Sequence, residues 1–162
     1  MKELTIIRHA KTEQADINQS DFERRLLPKG LEQCKAQGAF LKRNCPEPEL
    51  ILISSAYRTI QTYEELINIT LWDKHENAKL KSLHMASAES LINKIAEQST
   101  NIKKLMIIRH NFGVANLVSF LSGKMLMKYK TGSIAHFHIN TDDWVNITPN
   151  NSKLIYLESP LA

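Results

Sequence analysis

Strand and helix signals alternate along this chain, and they predict an α/β fold: a three-layer α/β/α sandwich. Its mostly parallel central sheet carries an antiparallel edge near the carboxyl end. Three observations lead there. Two short β-branched runs, Leu4 to Arg8 and Lys104 to Arg109, each close on Ile-Ile-Arg-His, giving Arg8-His9 and Arg109-His110. Continuous apolar runs bounded by polar residues suit strands buried on both faces. Segments with helical spacing follow those strands, and three further strand-like runs crowd the last thirty or so residues.

The elements follow in order. After the first strand comes a polar loop, Lys11 to about Arg25. Pro28-Lys29-Gly30 opens a helix with Leu31, Cys34, Gly38, Phe40 and Leu41 at helical spacing, and Cys45-Pro46-Glu47-Pro48 stops it. Leu50 to Ser54 reads as the second strand, and a helix runs from Tyr57 to about Ile69. Leu80 to Leu83 reads as a short strand. Ser87 caps a helix from Ala88 to about Gln98. Asn111 to Leu121 reads as the next helix. Ile134 to Ile139, Trp144 to Thr148 and Leu154 to Leu157 read as antiparallel strands, with a turn at Pro149-Asn150-Asn151-Ser152.

A chain of 162 residues with 43% hydrophobic and 23% charged content suits one domain spanning residues 1–162. The net charge of +4 weakly favours acidic or phosphorylated partners. Without a Lys/Arg block interleaved with aromatics, a nucleic-acid partner is not expected. Cys34 and Cys45 give no disulfide framework, so free thiols in a reducing cytoplasm are the expectation. The first strand begins within a few residues of Met1, and no apolar run is long enough for a bilayer. Neither a signal peptide nor a membrane is expected.

In a parallel sheet, ligands bind at the carboxyl ends of the strands. That edge would collect Arg8 and His9, the segment Ser54 to Thr62 with Arg58, and His110. Two histidines with arginine beside them suit chemistry on a phosphoryl group, whose equatorial oxygens carry the charge. A lone Arg-His at a strand end is more often structural, but three such places in order point to catalysis. Asp21 and Arg24 read as loop or rim residues, and His84 as an acid or a partly buried spacer. His136 and His138 alternate with Phe137 and read as a solvated face rather than a metal site. His75 reads as exposed loop, and Met125, Leu126 and Met127 as packing residues.

Arg8-His9, Ser54-x-x-x-Arg58-x-x-Gln61-Thr62 and His110 together resemble the histidine phosphatase superfamily, the phosphoglycerate mutase-like family. Asp21 to Gly30, Leu80 to Ser87 and Lys130 to Ala135 resemble its short SixA-like phosphohistidine phosphatase branch. The resemblance covers most of the chain. It departs at Ala10 for glycine, at Arg25 for proline, at Leu27 for threonine, at Arg109 for glycine and at Phe112 for proline.

The resemblance implies a nucleophilic role for His9, with Arg8, Arg58 and His110 binding the phosphoryl oxygens. It implies neither a metal nor an organic cofactor, and a site that a phosphate or sulfate ion can occupy. The expected partner is a phosphorylated protein, such as a phosphotransfer domain bearing phosphohistidine. A small phosphate ester is the alternative substrate, and a phospho-binding module without turnover the alternative function. No carboxylate directly follows Leu83; His84 and Glu89 stand nearest as candidate acids. Arg109 either adds positive potential to the site or pairs elsewhere.

Overall fold

The computed structural model describes residues 1–160. Six strands form one sheet in the order β3-β2-β4-β1-β5-β6. They are β1 (Lys2–Arg8), β2 (Leu50–Ser54), β3 (Glu76–Leu80), β4 (Lys104–Arg109), β5 (Ile134–Ile139) and β6 (Ser152–Glu158). The first four run parallel, β5 runs against β1, and β6 pairs antiparallel with β5. Four helices cover the sheet: α1 (Pro28–Asn44), α2 (Tyr57–Thr70), α3 (Ala88–Ala96) and α4 (Gly113–Ser122).

The two faces of the central strands divide the core. Leu4, Ile6, Leu52, Leu105, Ile107 and Phe137 turn towards α3 and α4. Ile7, Ile51, Ile53, Met106, Ile108 and Ile134 turn towards α1 and α2. Burial on both faces is why these strands read as unbroken apolar runs. Each such side chain contributes roughly 1.5–3 kcal/mol of burial free energy.

The connections fix where a ligand can enter. From β1 the chain turns to α1 on one face; from β4, the neighbouring strand, it turns to α4 on the other. A crevice opens at such a switch point, outside the carboxyl ends of the two strands. Arg8 is in register with Arg109, so His9 and His110 stand side by side at the crevice.

The loop between β1 and α1 folds back onto the crevice. Thr12 bridges Leu26, and the Leu27 N–H donates to the Lys11 carbonyl at 3.0 Å. Gly30 permits this: a Cβ there would lie 2.2 Å from the Lys11 carbonyl oxygen. Pro28 occupies the first turn of α1, where its missing N–H costs nothing.

Five expectations need correction. Lys81–Leu83 is a 3₁₀ turn following β3, because Leu83 drops into the core instead of alternating. Trp144–Asn146 is also a 3₁₀ turn: Asp143 caps it, and buried Trp144 donates through Nε1 to the Ile102 carbonyl at 2.8 Å. His136 is buried rather than solvated. It lies 2.9 Å from Thr5 Oγ1 and 3.2 Å from Glu3 Oε2, because Tyr156 of β6 closes over that face. Met125 and Met127 are exposed, and the His75 side chain is buried against Tyr63. Ser87 caps α3 as expected, accepting from the Ser90 N–H at 3.1 Å. Cys34 and Cys45 are buried free thiols, each pushed up to about 12 by burial.

Candidate active site

His9 is the fixed point of the crevice. Its N–H donates to the Arg109 carbonyl, and its own carbonyl accepts from the Gly132 N–H, both at 3.0 Å. The next N–H, that of Ala10, donates to Thr62 Oγ1 at 3.1 Å. The Ala10 side chain is buried, so the methyl that replaces a glycine hydrogen stays out of the cavity.

The His9 tautomer follows from its partner. Nδ1 lies 2.7 Å from the Ala10 carbonyl oxygen. A carbonyl only accepts, so Nδ1 carries the proton and Nε2 keeps its lone pair. Burial above all, opposed by the Ala10 carbonyl and reinforced by nearby Arg58, Arg8 and Arg24, lowers the imidazole pKa to about 3. At neutral pH, His9 is therefore an uncharged base with one free nitrogen.

The His110 ring stands 5.4 Å from that of His9, centre to centre. Ser54, at the end of β2, places its hydroxyl 2.7 Å from His110 Nε2. With the hydroxyl donating, His110 Nδ1 bears the proton, and it has no partner. Burial first, then Arg58, drives the His110 pKa well below the ordinary range, so this ring too is neutral.

Arg58 lies in the first turn of α2 and is almost wholly buried. It donates to the Asp21 carbonyl at 2.5 Å and to Asp21 Oδ2 at 2.9 Å. Arg24 holds the other carboxylate oxygen of Asp21 at 2.8 Å. Burial raises the Asp21 pKa, but hydrogen bonds from Arg24 and Arg58 outweigh it and keep the group ionised. Asp21 and Arg24 thus line the site from the loop, Asp21 still exposed at its rim. They lie some thirty residues from Arg58 in sequence, and only the folded loop joins them.

Arg8 donates through Nη1 to the Tyr129 carbonyl at 2.8 Å, leaving Nε without a partner. The motif positions beside Arg58 are structural: Gln61 accepts from the Leu26 N–H, and Thr62 holds both Ala10 and the Arg58 carbonyl. Arg109 points away. It donates to the carbonyls of Leu83, His84 and His110, and it does not line the cavity.

These residues enclose a cavity of about 560 Å³. Among the described residues, eight buried side-chain polar atoms lack partners, and five belong to its walls: Arg8 Nε, Arg58 Nε, His84 Nδ1, His110 Nδ1 and Asn111 Oδ1. Buried polar groups are normally paired. Their concentration here marks a site built for a polar ligand, and the arginine and histidine donors select an anion.

His84 enters the same cavity, its Nε2 3.5 Å from Asp21 Oδ2. Burial, and Arg58 next, lower its pKa. Glu89 lies in the first turn of α3, exposed and outside the cavity. Glu3, His136 and His138 bring three ligand-type atoms within 4.8 Å of one another, but near the opposite end of β1 from His9.

Comparison with known proteins places this geometry. An uncharacterized protein of Mycobacterium tuberculosis strain H37Rv is 24% identical over 164 residues, covering 95% of this chain and 99% of that protein. A candidate phosphohistidine phosphatase SixA of Nakamurella multipartitia superposes with a TM-score of 0.86 at 19% identity, covering 99% of this chain and 97% of the other. The protein histidine phosphatase SixA complexed with tungstate gives 0.80 at 22% identity, covering 98% and 97%. The model of the histidine phosphatase superfamily (branch 1) matches residues 4–112. That span runs from β1 through both histidines and Arg58, and the chain belongs to this superfamily.

Proposed function

We propose that the protein is a phosphatase that forms a covalent phosphohistidine on His9 and acts on phosphohistidine in a protein. The observation that carries the chemistry is the His9 tautomer: Nδ1–H is committed to the Ala10 carbonyl, and Nε2 is free beside Arg58 and Arg8. Nε2 attacks phosphorus as the bond from phosphorus to the leaving group breaks, and water then hydrolyses the phosphoenzyme to inorganic phosphate. The Arg8 and Arg58 guanidinium groups and the His110 ring, which line the cavity, meet the equatorial oxygens. These donors supply the positive field, so the reading requires no metal, and turnover is expected to survive chelation.

The acid–base inventory supports a phosphoramidate. Asp21 is the only carboxylate among the described residues lining the cavity, and its two arginines keep it ionised. His84 has a lowered pKa and is a poor proton donor at neutral pH. An alkoxide leaving group would need a strong acid here. Imidazole needs none from the enzyme: the phosphorylated ring takes a proton from solvent on its other nitrogen, as an imidazole with a pKa of about 6.5 does near neutral pH, and then departs as a neutral ring. The SixA proteins whose folds superpose on this one agree with that substrate class.

The test is hydrolysis of a phosphohistidine-bearing phosphotransfer protein by wild type and His9→Ala, with an aryl phosphate in parallel. Protein turnover is expected, falling at least about 10³-fold in the variant, since no other group replaces the nucleophile. Turnover of the aryl ester alone would move the activity to small phosphomonoesters. Phosphate binding without turnover of either would make the protein a binding module.

A further inference from the structure

A second cavity of about 350 Å³ adjoins the first and shares Arg8, Lys11 and Thr131 with it. Its remaining walls come from Lys29 and Gln33 of α1 and from Lys128 and Lys130, ahead of β5. Lys11, Lys29, Lys128 and Lys130 are all exposed. Among the described residues, none of the four has a carboxylate within 4.0 Å.

Like charges gathered without counter-charges repel one another, and an anion relieves that repulsion. The first turn of α1 and the segment before β5 are distant in sequence, yet Gln33 ties them: it donates to Thr131 Oγ1 and accepts from the Lys11 N–H. The groove therefore lies beside the crevice on a supported frame. Across the mouth, Met85 is 83% exposed and Phe112 is 78% exposed. Lysines on one side and solvated apolar side chains on the other suit a protein surface better than a small anion, which would leave Met85 and Phe112 unused.

We propose that Lys29, Lys128 and Lys130, continued by Lys11, dock the acidic surface around the phosphohistidine of a partner protein. This rests on the functional reading above and adds the partner's charge. Opposed charge raises encounter rates, and salt weakens it.

The experiment compares wild type with Lys29→Glu/Lys128→Glu, neither residue belonging to the catalytic cavity. Substrates are an acidic phosphotransfer protein carrying phosphohistidine, an uncharged peptide carrying phosphohistidine, and an aryl phosphate, each at low and at 0.5 M salt. On the acidic protein, kcat/KM is expected to fall about tenfold or more in the variant at low salt, with the difference closing at high salt. The peptide and the aryl ester should change less than about twofold. Equal loss on all three substrates would mean damage to the catalytic centre and would overturn the docking role. So would equal kcat/KM for the two enzymes on the acidic protein, although the phosphohistidine reading would then stand. If the variant lost activity only towards a sugar bisphosphate, tested alongside, the groove would be a second phosphate subsite and not a docking surface. No turnover of either phosphohistidine substrate would overturn both readings.

Discussion

A methyl group on Gly113 would lie 1.7 Å from Arg109 Nη1 and 2.6 Å from the Ala86 carbonyl. Gly113 is thus explained by Arg109, which fills the space beneath α4 and ties the loop after Leu83 to β4. Burial lowers the Arg109 pKa to about 10, and it remains a cation held by carbonyls. Gly113→Ala should destabilise the protein by about 1–3 kcal/mol, read as a lower Tm, with turnover lowered because His110 adjoins the disturbed turn. The two site histidines make a second prediction. Below about pH 6.5 the unfolded chain takes up protons at His9 and His110, while the folded chain keeps both neutral. Stability should therefore fall as pH drops from about 6.5 towards about 3, with a slope of about 1.4 kcal/mol per pH unit for each ring. Denaturant midpoints across that range test this, and His9→Ala should flatten the slope.

At the scale of elements, β2 acts on the site through Ser54, which does not line the cavity. The hydroxyl holds His110 Nε2 at 2.7 Å from a wholly buried position. Ser54→Ala would leave His110 Nε2 buried without a partner, at about 1–3 kcal/mol of stability. It would also free the ring to place its proton on Nε2, removing the Nδ1 donor. We expect kcat to fall about 10–10²-fold, with a smaller change in KM, while Ser54→Thr restores part of the loss. Steady-state kinetics on all three enzymes separates this from simple destabilisation. Most of the elements were legible because strands buried on both faces, and a helix such as α1 with Pro at one end and a stop at the other, carry strong local signals. The two strand readings that failed, at Leu80–Leu83 and Trp144–Thr148, are short stretches that mix polar with apolar residues. Leu83 and Trp144 each anchor a 3₁₀ turn in the core, and so short a pattern does not distinguish a turn from a strand.

For the whole molecule, the sheet order brings the ends of β1, β4 and β2 to one crevice and sends their helices to opposite faces. No helix among the described residues is long and apolar enough to cross a membrane. The same topology sets α1 beside the segment preceding β5, which is how lysines a hundred residues apart come to line one groove. Net charge alone said only that acidic partners are weakly favoured. Its distribution turns that into a direction of approach, and the salt dependence described above is its measurable form.

The sequence by itself determined the α/β class and the order of most elements, and it singled out His9, Arg8, Arg58 and His110, which the fold brings to one cavity. These are local properties: a residue type at a strand end, a spacing within one segment, a charge on a side chain. Only the tertiary structure decided what each group faces. It paired Asp21 with Arg58, withdrew Arg109 into the carbonyls behind the site, buried His136 and gave His9 its free nitrogen. Most of these outcomes depend on contacts between residues far apart in the chain, and all depend on backbone geometry at the crevice. Composition and periodicity carry neither, because a partner's distance and direction exist only once the chain has folded.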